Sequence, residues 1–238
     1  MVARFRWVAL VSVSAGLALV AMLGSGIAFQ AHAAAPAPAV LVVLDATKVL
    51  ADKPVASQIP QGWELKVNSG TPDVTITGDG DTAALHFRSA KSSFGLERAI
   101  NIDPAQLPYL TWHWMVTQLP ARGDFRHTST DDQAAQVMVA FDDRHIISYI
   151  WDSNAPQGLA ESASFIPLVH IFDVVCRSGN AEANRWLDEN RNIAADYQKL
   201  FGKPAPHVKG LRLQINSQHT GSVAESYFGQ VVFRNAQS

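Results

Sequence analysis

The chain has 238 residues, of which 47% are hydrophobic and 17% are charged, and its formal net charge is −2. This near-balance gives no electrostatic reason to expect nucleic acid as a partner, because nucleic-acid binders carry a strong positive excess. Cys176 is the only cysteine, so an internal disulfide is excluded, and its apolar surroundings predict a buried side chain. A chain of this length can bury a large core within one all-β domain.

Residues 1–33 have the order of a signal peptide. Arg4 and Arg6 precede an uncharged apolar run at 7–29, and the triplet Ala-His-Ala at 31–33 fits a signal-peptidase site. The apolar run is also long enough to span a bilayer, which leaves an uncleaved inner-membrane anchor as the alternative. The sequence predicts a periplasmic or secreted protein, with no stable membrane insertion once the leader is removed.

After the leader, an Ala/Pro-rich stretch at 34–40 predicts a flexible linker. From residue 41 the pattern changes to short apolar runs between turn residues, which is typical of a β-sandwich or barrel rather than of alternating strands and helices. No change of composition divides residues 41–238, so we expect one domain. The predicted strands cover residues 41–44, 63–67, 74–77, 84–87, 94–102, 110–116, 136–141, 146–151, 169–176, 210–215 and 226–233.

Two predicted strands alternate between apolar and polar positions, as expected for a sheet with one packed face. In the first of them Trp112 and Trp114 lie on the apolar face, so we assign both to the core. In the second, at 210–215, Arg212 and Gln214 share the face opposite to the leucines and isoleucine.

Apolar residues recur at helical spacing between residues 184 and 201, and Gly202 and Pro204 provide a C-terminal cap and a stop. The sequence therefore predicts one α-helix packed against the sandwich. Asn190 lies within the apolar stripe of that helix, where a buried amide needs hydrogen-bond partners from the sheets.

Asp131 and Asp132 directly precede the predicted strand at 136–141 and lie close to Arg126 in the sequence. One interpretation is a carboxylate pair at the rim of the sandwich, able to bind hydroxyl groups. The other is a solvated turn in which aspartate accepts backbone N–H bonds.

Two further positions are candidates for the rim. Arg191, followed by Asn192, is expected to form a fork with a carboxylate, either Asp131 or Asp132 as a structural staple or a carboxylate of the ligand. Trp151 ends a predicted strand and precedes polar residues, so we weigh an aromatic platform at the rim against a place in the core. The candidate ligand-binding residues are Arg126, Asp131, Asp132, Trp151, Arg191 and Asn192.

The sequence contains no nucleophile elbow, zinc-binding helix, phosphate loop or dinucleotide fingerprint, and it predicts neither a cofactor nor a metal. An enzyme acting on glycans would need two groups with separated pKa values facing one cleft. Asp131 or Asp132 together with His113 would supply that pair.

Several short motifs, in order along the chain, together carry a family resemblance. They are residues 110–114, 131–135 running into 137–141, 149–151, Trp186 with Glu189, Arg191-Asn192, Asp196-Tyr197, Phe201-Gly202, Thr220 and 227–229. This set resembles an exported bacterial family known as domain of unknown function 3047. The resemblance implies a β-sandwich similar to jelly-roll carbohydrate-binding modules, and it implies no activity. The family tends to be acidic in the turn at 216–220, which reads Asn-Ser-Gln-His-Thr here and so lacks the carboxylates that a hard cation prefers.

Together these patterns predict a mainly β protein, an antiparallel jelly-roll-like sandwich with one packed α-helix, preceded by a signal helix. The predicted function is binding of a glycan or other cell-envelope ligand on one sheet face. The alternatives are an envelope glycan hydrolase or lyase, and a scaffold whose outer surface meets a partner protein.

Overall fold

The computed structural model describes residues 39–48, 59–78, 82–163 and 168–236 of the chain. The predicted signal peptide and signal helix, and residues 34–38 of the predicted linker, lie outside the described residues. One helix of seven or more residues occurs in the described part, α1 (Ile193–Phe201). The strands of the described part are β1 (Val40–Leu44), β2 (Glu64–Ser69), β3 (Val74–Thr77), β4 (Ala84–Ala90), β5 (Ser93–Ile102), β6 (Tyr109–Gln118), β7 (Ala135–Ala140), β8 (His145–Asp152), β9 (Ala160–Ser162), β10 (His170–Ser178), β11 (Leu187–Asn192), β12 (Val208–Asn216) and β13 (Val223–Arg234).

The strands form two sheets. The six-stranded sheet has the order β11-β6-β13-β4-β3, with β1 also paired to β13, and the seven-stranded sheet has the order β2-β5-β12-β7-β8-β10-β9. Paired strands in the described residues are antiparallel except β8 and β10, which are parallel. From β4 to β7 the chain alternates between the two sheets, so each layer is built from strands distant in sequence. The prediction of a mainly β, antiparallel sandwich is confirmed.

The two sheets share one hydrophobic core. Trp112 and Trp114 on β6 are buried, with their rings edge to face at 5.4 Å. Trp114 packs against Trp151 of the opposite sheet, with ring centres 5.8 Å apart. Cys176 is buried in the same core, and burial raises the pKa of its thiol. The assignment of Trp112, Trp114 and Cys176 to the core is confirmed.

The prediction of a helix is wrong for residues 184–192, which contain the strand β11. β11 pairs antiparallel with β6, with Leu187 opposite Trp114. Leu187 is buried and Asp188 is exposed, which is the alternation of a strand rather than of a helix. Asn190 therefore lies in a strand and not in a helical stripe.

The helix α1 begins after a capping residue and ends at a glycine. The side-chain oxygen of Asn192 accepts a hydrogen bond from the backbone N–H of Ala195 at 3.0 Å, an N-cap that fixes where the helix starts. Gly202 has φ 71° and donates its N–H to the carbonyl of Gln198, a left-handed cap that glycine adopts without strain. The predicted helix end is confirmed, and the helix occupies only the second half of the predicted segment.

The strand β1 begins within the predicted linker. Val40 pairs with Arg234 of β13, and the carbonyl of Ala39 accepts a hydrogen bond from Asn235 N at 3.1 Å. The linker prediction is therefore wrong for residues 39–40. Nowhere in the described ranges is a helix long and apolar enough to cross a membrane.

Candidate functional site

The outward side of the seven-stranded sheet carries polar side chains on most of its strands. On β8 and β10 it also carries Ile150 and Val175, which are buried in a small apolar cluster with Phe125 and Ala155. On β12, Leu211 and Leu213 point into the core, so Arg212 and Gln214 point outward. Strand pairing aligns outward residues of all seven strands in one row, with a second row beside it, and we call these two rows the polar face. The first row is Glu64, Glu97, Arg212, Met138, Ser148, Asp173 and Glu161, and the second is Lys66, Gly95, Gln214, Gln136, Ile150 and Val175.

A chain of hydrogen bonds, which we call the amide network, connects side chains along the polar face. Gln133 donates to Asp131 at 2.8 Å and accepts from Gln136 at 2.9 Å. Gln136 accepts from Gln214 at 3.3 Å, and Gln214 accepts from Asn68 at 3.3 Å. A primary amide carries two donors and an acceptor on one planar group, so each amide of the network both donates and accepts within it. Gln133 and Gln136 are buried, whereas Gln214 and Asn68 reach the surface.

Arg212 joins the amide network from the first row. Its side chain is only 10% exposed, and its Nη2 donates to Asn68 Oδ1 at 3.1 Å. Oε2 of Glu97 lies 4.0 Å from Nη1, beyond hydrogen-bond distance, and among the described residues Nε has no hydrogen-bond partner. Burial lowers the pKa of this guanidinium. A Cβ at position 95 would lie 3.1 Å from Nε, so Gly95 leaves the space that the guanidinium occupies.

Asp173, on β10, is the other buried charged position of the first row. The residue is 6% exposed, and burial raises the pKa of its carboxyl group to about 8, with a further increase from the negative charge of Asp131. Burial also raises the pKa values of Asp131 and Asp152. At pH 7 the Asp173 carboxyl is therefore mainly protonated, and it can donate a hydrogen bond as well as accept one.

The outward side of the six-stranded sheet carries an aromatic ladder formed by His86, Tyr227, Trp186 and His113. His86 and Tyr227 are paired across β4 and β13 and stack at 4.5 Å, and Trp186 stacks on His113 at 4.5 Å. Trp186 meets Tyr227 edge to face at 6.4 Å. One face of each ring is thus covered by a neighbouring ring, and Trp186 remains 38% exposed. The aromatic ladder is therefore a second candidate surface, whereas the polar face carries the hydrogen-bonding groups.

The two predicted rim carboxylates have different surroundings. Asp132 is fully buried and accepts the backbone N–H groups of His219 and Thr220, at 3.2 and 2.6 Å. It therefore fixes the turn at 216–220 and has no surface open to a ligand. Asp131 is partly exposed and accepts from Gln133, so the structure places it at one end of the amide network.

The turn at 216–220 is bonded to the start of β7 rather than arranged around a cation. Asn216 accepts from Gln133 N at 2.9 Å and donates to the carbonyl of Asp131 at 2.8 Å. Within the ranges that the structure describes, no group of three His, Cys, Asp or Glu side chains is arranged to hold a metal ion.

The predicted arginines form ion pairs with carboxylates other than Asp131 and Asp132. Arg126 donates to both oxygens of Asp124, at 2.8 and 2.6 Å, and the guanidinium lowers the pKa of that carboxyl. Arg126 and Asp124 belong to the same loop, so this pair stabilises the loop locally. A contact of Arg126 with a ligand stays a prediction.

Arg191 is a staple, but its partner was predicted incorrectly. Its Nε and Nη2 donate to the two oxygens of Asp196 at 3.0 and 2.9 Å, and its guanidinium carbon lies 5.3 Å from the ring centre of Tyr149. Asp196 lies in α1, so the pair joins β11 to the helix. Arg191 and Asn192 belong to the six-stranded sheet, and neither appears among the hydrogen bonds of the amide network.

The interpretation of Trp151 as an exposed platform is wrong. Its side chain is fully buried, and its Nε1 donates to the carbonyl of Gly179 at 3.0 Å. On β8 it alternates with Ile150 and Asp152, which point outward, and it therefore points into the core.

The proposed acid–base pair of His113 with Asp131 or Asp132 is also wrong. His113 lies on the outward side of the six-stranded sheet, where it contacts Asp188 at 2.7 Å and stacks on Trp186. Asp131 and Asp132 precede β7 in the other sheet, so these groups do not face one cleft.

With this geometry established, the chain can be compared with known proteins. Residues 61–232 match DUF3047, described as a protein of unknown function. The chain belongs to this family. The resemblance inferred from the short motifs is therefore confirmed, and the match covers both sheets of the DUF3047 fold apart from β1 and the end of β13. No curated protein matches the chain.

Solved structures similar to this DUF3047 chain are β-sandwich proteins of low sequence identity. The xyloglucanase domain of NopAA from Sinorhizobium fredii is 10% identical, with a TM-score of 0.47 over 75% of this chain and 95% of that one. Endoglucanase 3 of Trichoderma harzianum, from family GH12, is 10% identical, with a TM-score of 0.41 over 75% and 99% of the two chains. A carbohydrate-binding module of family 29 is 8% identical, with a TM-score of 0.40 over 84% and 94%. At such identities the similarity concerns the fold alone.

Sequence reasoning missed most of the polar face of this DUF3047 protein. The alternation at 210–215 already separates Arg212 and Gln214 from the core positions, so the sequence carried a signal for them. Asp173 is a lone acidic residue within an apolar run, which is a weaker indication that its side chain points away from the core. Asn68 lies near the end of β2 and Gln133 just before β7, both in ordinary polar segments, and only the sheet order brings them to one surface.

Proposed function

We propose that this protein is exported and binds a glycan, and that the glycan lies on the polar face. The amide network is the observation that carries the proposal. Each sugar hydroxyl donates and accepts hydrogen bonds, and the amides of Gln214 and Asn68, which reach the surface, carry both kinds of group. Gln136 is buried and orients the Gln214 amide from beneath. The amide network crosses three interstrand spacings, from β2 to β7, which is about 14 Å and enough for a short oligosaccharide.

Distance excludes one pair of carboxyl groups in the first row as a hydrolytic pair. Glu97 and Asp173 are carboxyl groups of the first row, and four interstrand spacings, about 19 Å, separate their strands. Glycosidases place their two carboxyl groups about 5 to 9.5 Å apart. Glu97 and Asp173 therefore do not form a hydrolytic pair across the face.

Export is proposed from the leader at 1–33. A basic start, an apolar run and a small-residue triplet occur there in the order that a signal peptidase recognises. A surface of amides for sugar recognition is consistent with a place in the cell envelope, where polysaccharides are exposed.

Affinity electrophoresis of the full-length chain, expressed with its leader, tests the proposal against a panel of soluble polysaccharides. We expect at least one polysaccharide to retard the protein. Gln214→Ala should weaken that binding about fivefold, because the loss of one net hydrogen bond costs about 1 kcal/mol of binding free energy. Trp186→Ala is the matched control on the outward side of the other sheet, and it should leave the affinity unchanged.

Two results would contradict the proposal. Loss of binding in Trp186→Ala with normal binding in Gln214→Ala would place the ligand on the aromatic ladder. Release of new reducing ends from a retained polysaccharide would favour the hydrolase alternative instead.

A further inference from the structure

Arg212 differs from three other arginines that form ion pairs in the described residues. The side chains of Arg126, Arg177 and Arg191 are 38%, 20% and 33% exposed, and each donates to a carboxylate, at 2.6, 2.6 and 2.9 Å respectively. Arg212 is only 10% exposed, yet its contact with a carboxylate oxygen, Glu97 Oε2, is 4.0 Å long. The most buried guanidinium of the four is thus the one without a hydrogen-bonded counter-ion.

A buried guanidinium without a hydrogen-bonded partner is unfavourable, because the charge and its N–H groups lose water without replacement. No described residue accepts a hydrogen bond from Arg212 Nε. Glu97 does not supply this partner. Its Oε2 lies 4.0 Å from Nη1 of Arg212, and its Oε1 lies 3.3 Å from Lys66 Nζ. Lys66 also pairs with Glu64 at 2.8 Å, so the two cations and two carboxylates at this end of the polar face balance one another. An incoming anion therefore meets an unpaired donor and no net negative charge there.

We propose that the bound glycan is acidic and that its carboxylate pairs with Arg212. This inference rests on the proposed function, and it specifies the ligand as a polysaccharide that contains uronic acid residues. A planar carboxylate can accept from two N–H groups of one guanidinium, which gives both orientation and affinity. Nε is enclosed, so its N–H becomes available to the ligand when the side chain shifts outward on binding. The amides of Gln214 and Asn68 lie beside it and take the hydroxyl groups of the same or the next sugar.

The inference is tested with alginate, polygalacturonate and hyaluronate, each paired with its own carboxyl-reduced form. Reduction converts the carboxylate to a primary alcohol and leaves the backbone unchanged, so the pair differs mainly in charge. Isothermal titration of the full-length chain at about 0.15 M salt suppresses long-range attraction. At least one acidic form should bind tenfold or more tightly than its reduced form. Dextran sulfate tests whether a sulfate group serves instead.

Arg212→Met is the decisive variant. Methionine fills a similar volume without a charge, so the variant should fold with an unchanged or higher urea midpoint, since a buried unpaired charge is removed. It should abolish the preference for the acidic form and keep most of the affinity for the reduced form. Arg88→Met is the matched control, because Arg88 is an exposed cation on the outward side of the other sheet. It should leave the preference unchanged.

The outcomes separate this inference from the proposed function. Equal binding of acidic and reduced forms, or a preference that survives Arg212→Met, would overturn the inference and leave glycan binding intact. Tighter binding of dextran sulfate than of every uronate polymer would overturn the choice of a carboxylate. If neither an acidic nor a neutral polysaccharide binds, the proposed function fails and the inference fails with it.

Discussion

Replacing Asp173 by asparagine should make the protein more stable at neutral pH. The carboxyl group of Asp173 is buried on the polar face, and burial raises its pKa from the ordinary 3.8 to about 8. At pH 7 the folded protein therefore keeps a proton on this group, whereas the unfolded chain has released it. The unfolded state binds fewer protons, so the free energy of unfolding falls as the pH rises between these two values.

The size of the effect follows from the two pKa values. One pH unit within the interval corresponds to about 1.4 kcal/mol, so this group lowers the stability by about 4 kcal/mol between pH 4 and pH 7. Above pH 8 the loss stops growing, because Asp173 is then ionised in both states. Asparagine has a similar size and no proton to exchange. Asp173→Asn should therefore match the wild type near pH 4 and exceed it by up to about 4 kcal/mol at pH 7.

Urea unfolding at pH 4, 5, 6, 7 and 8, followed by tryptophan fluorescence, measures the difference directly. The control is Glu161→Gln, an exposed carboxylate beside Asp173 on β9, which should change the stability by less than about 0.5 kcal/mol at every pH. A constant difference between Asp173→Asn and the wild type across this range would refute the reasoning. So would a variant that is less stable at pH 7.

Three further predictions concern other parts of the chain. Asp132→Ala should lower the free energy of unfolding by about 3 kcal/mol, because it removes the buried carboxylate that accepts two backbone N–H groups of the turn at 216–220, and hydrogen exchange at those amides should accelerate. Arg191→Lys should cost about 1 kcal/mol by urea unfolding, since lysine cannot replace the fork to Asp196, and glycan binding should not change. Mass spectrometry of the envelope fraction should find a new N-terminus after residue 33, whereas an intact Met1 in that fraction would favour the anchor.

Most strands were predictable because their alternation or apolar runs are visible in one sequence. β9 was missed because three residues are too few to show a period. β11 was assigned to a helix because Trp186 and Leu187 happen to lie at helical spacing from Ile193 and Tyr197. Its polar residues gave no strand signal, and only pairing with β6 stabilises them as an edge strand.

The site was harder to predict because it depends on sheet order rather than on sequence neighbours. Asp131 was predicted from its own sequence context, but the side chains connected to it through the amide network come from three strands, β2, β7 and β12, and from the segment before β7. Trp151 was misassigned because a polar segment after a strand does not reveal which way the last aromatic residue points. Asp152, the next residue, points outward, so the indole of Trp151 points into the core.

Asp173 and Arg212 give one physical argument for where a ligand lies. Both are buried in the first row of the polar face, and burial shifts their pKa values in the directions that mark an unfavourable charge, upward for the carboxyl and downward for the guanidinium. They do not neutralise each other, since three interstrand spacings, about 14 Å, separate their strands. A sheet face without a ligand would be more stable with apolar or exposed residues at these positions. Local conflicts of this kind are expected where function opposes stability. We therefore expect Asp173→Asn and Arg212→Met both to gain stability, and the second also to lose affinity for acidic glycans. Both results would follow from the burial of unfavourable charges in the first row.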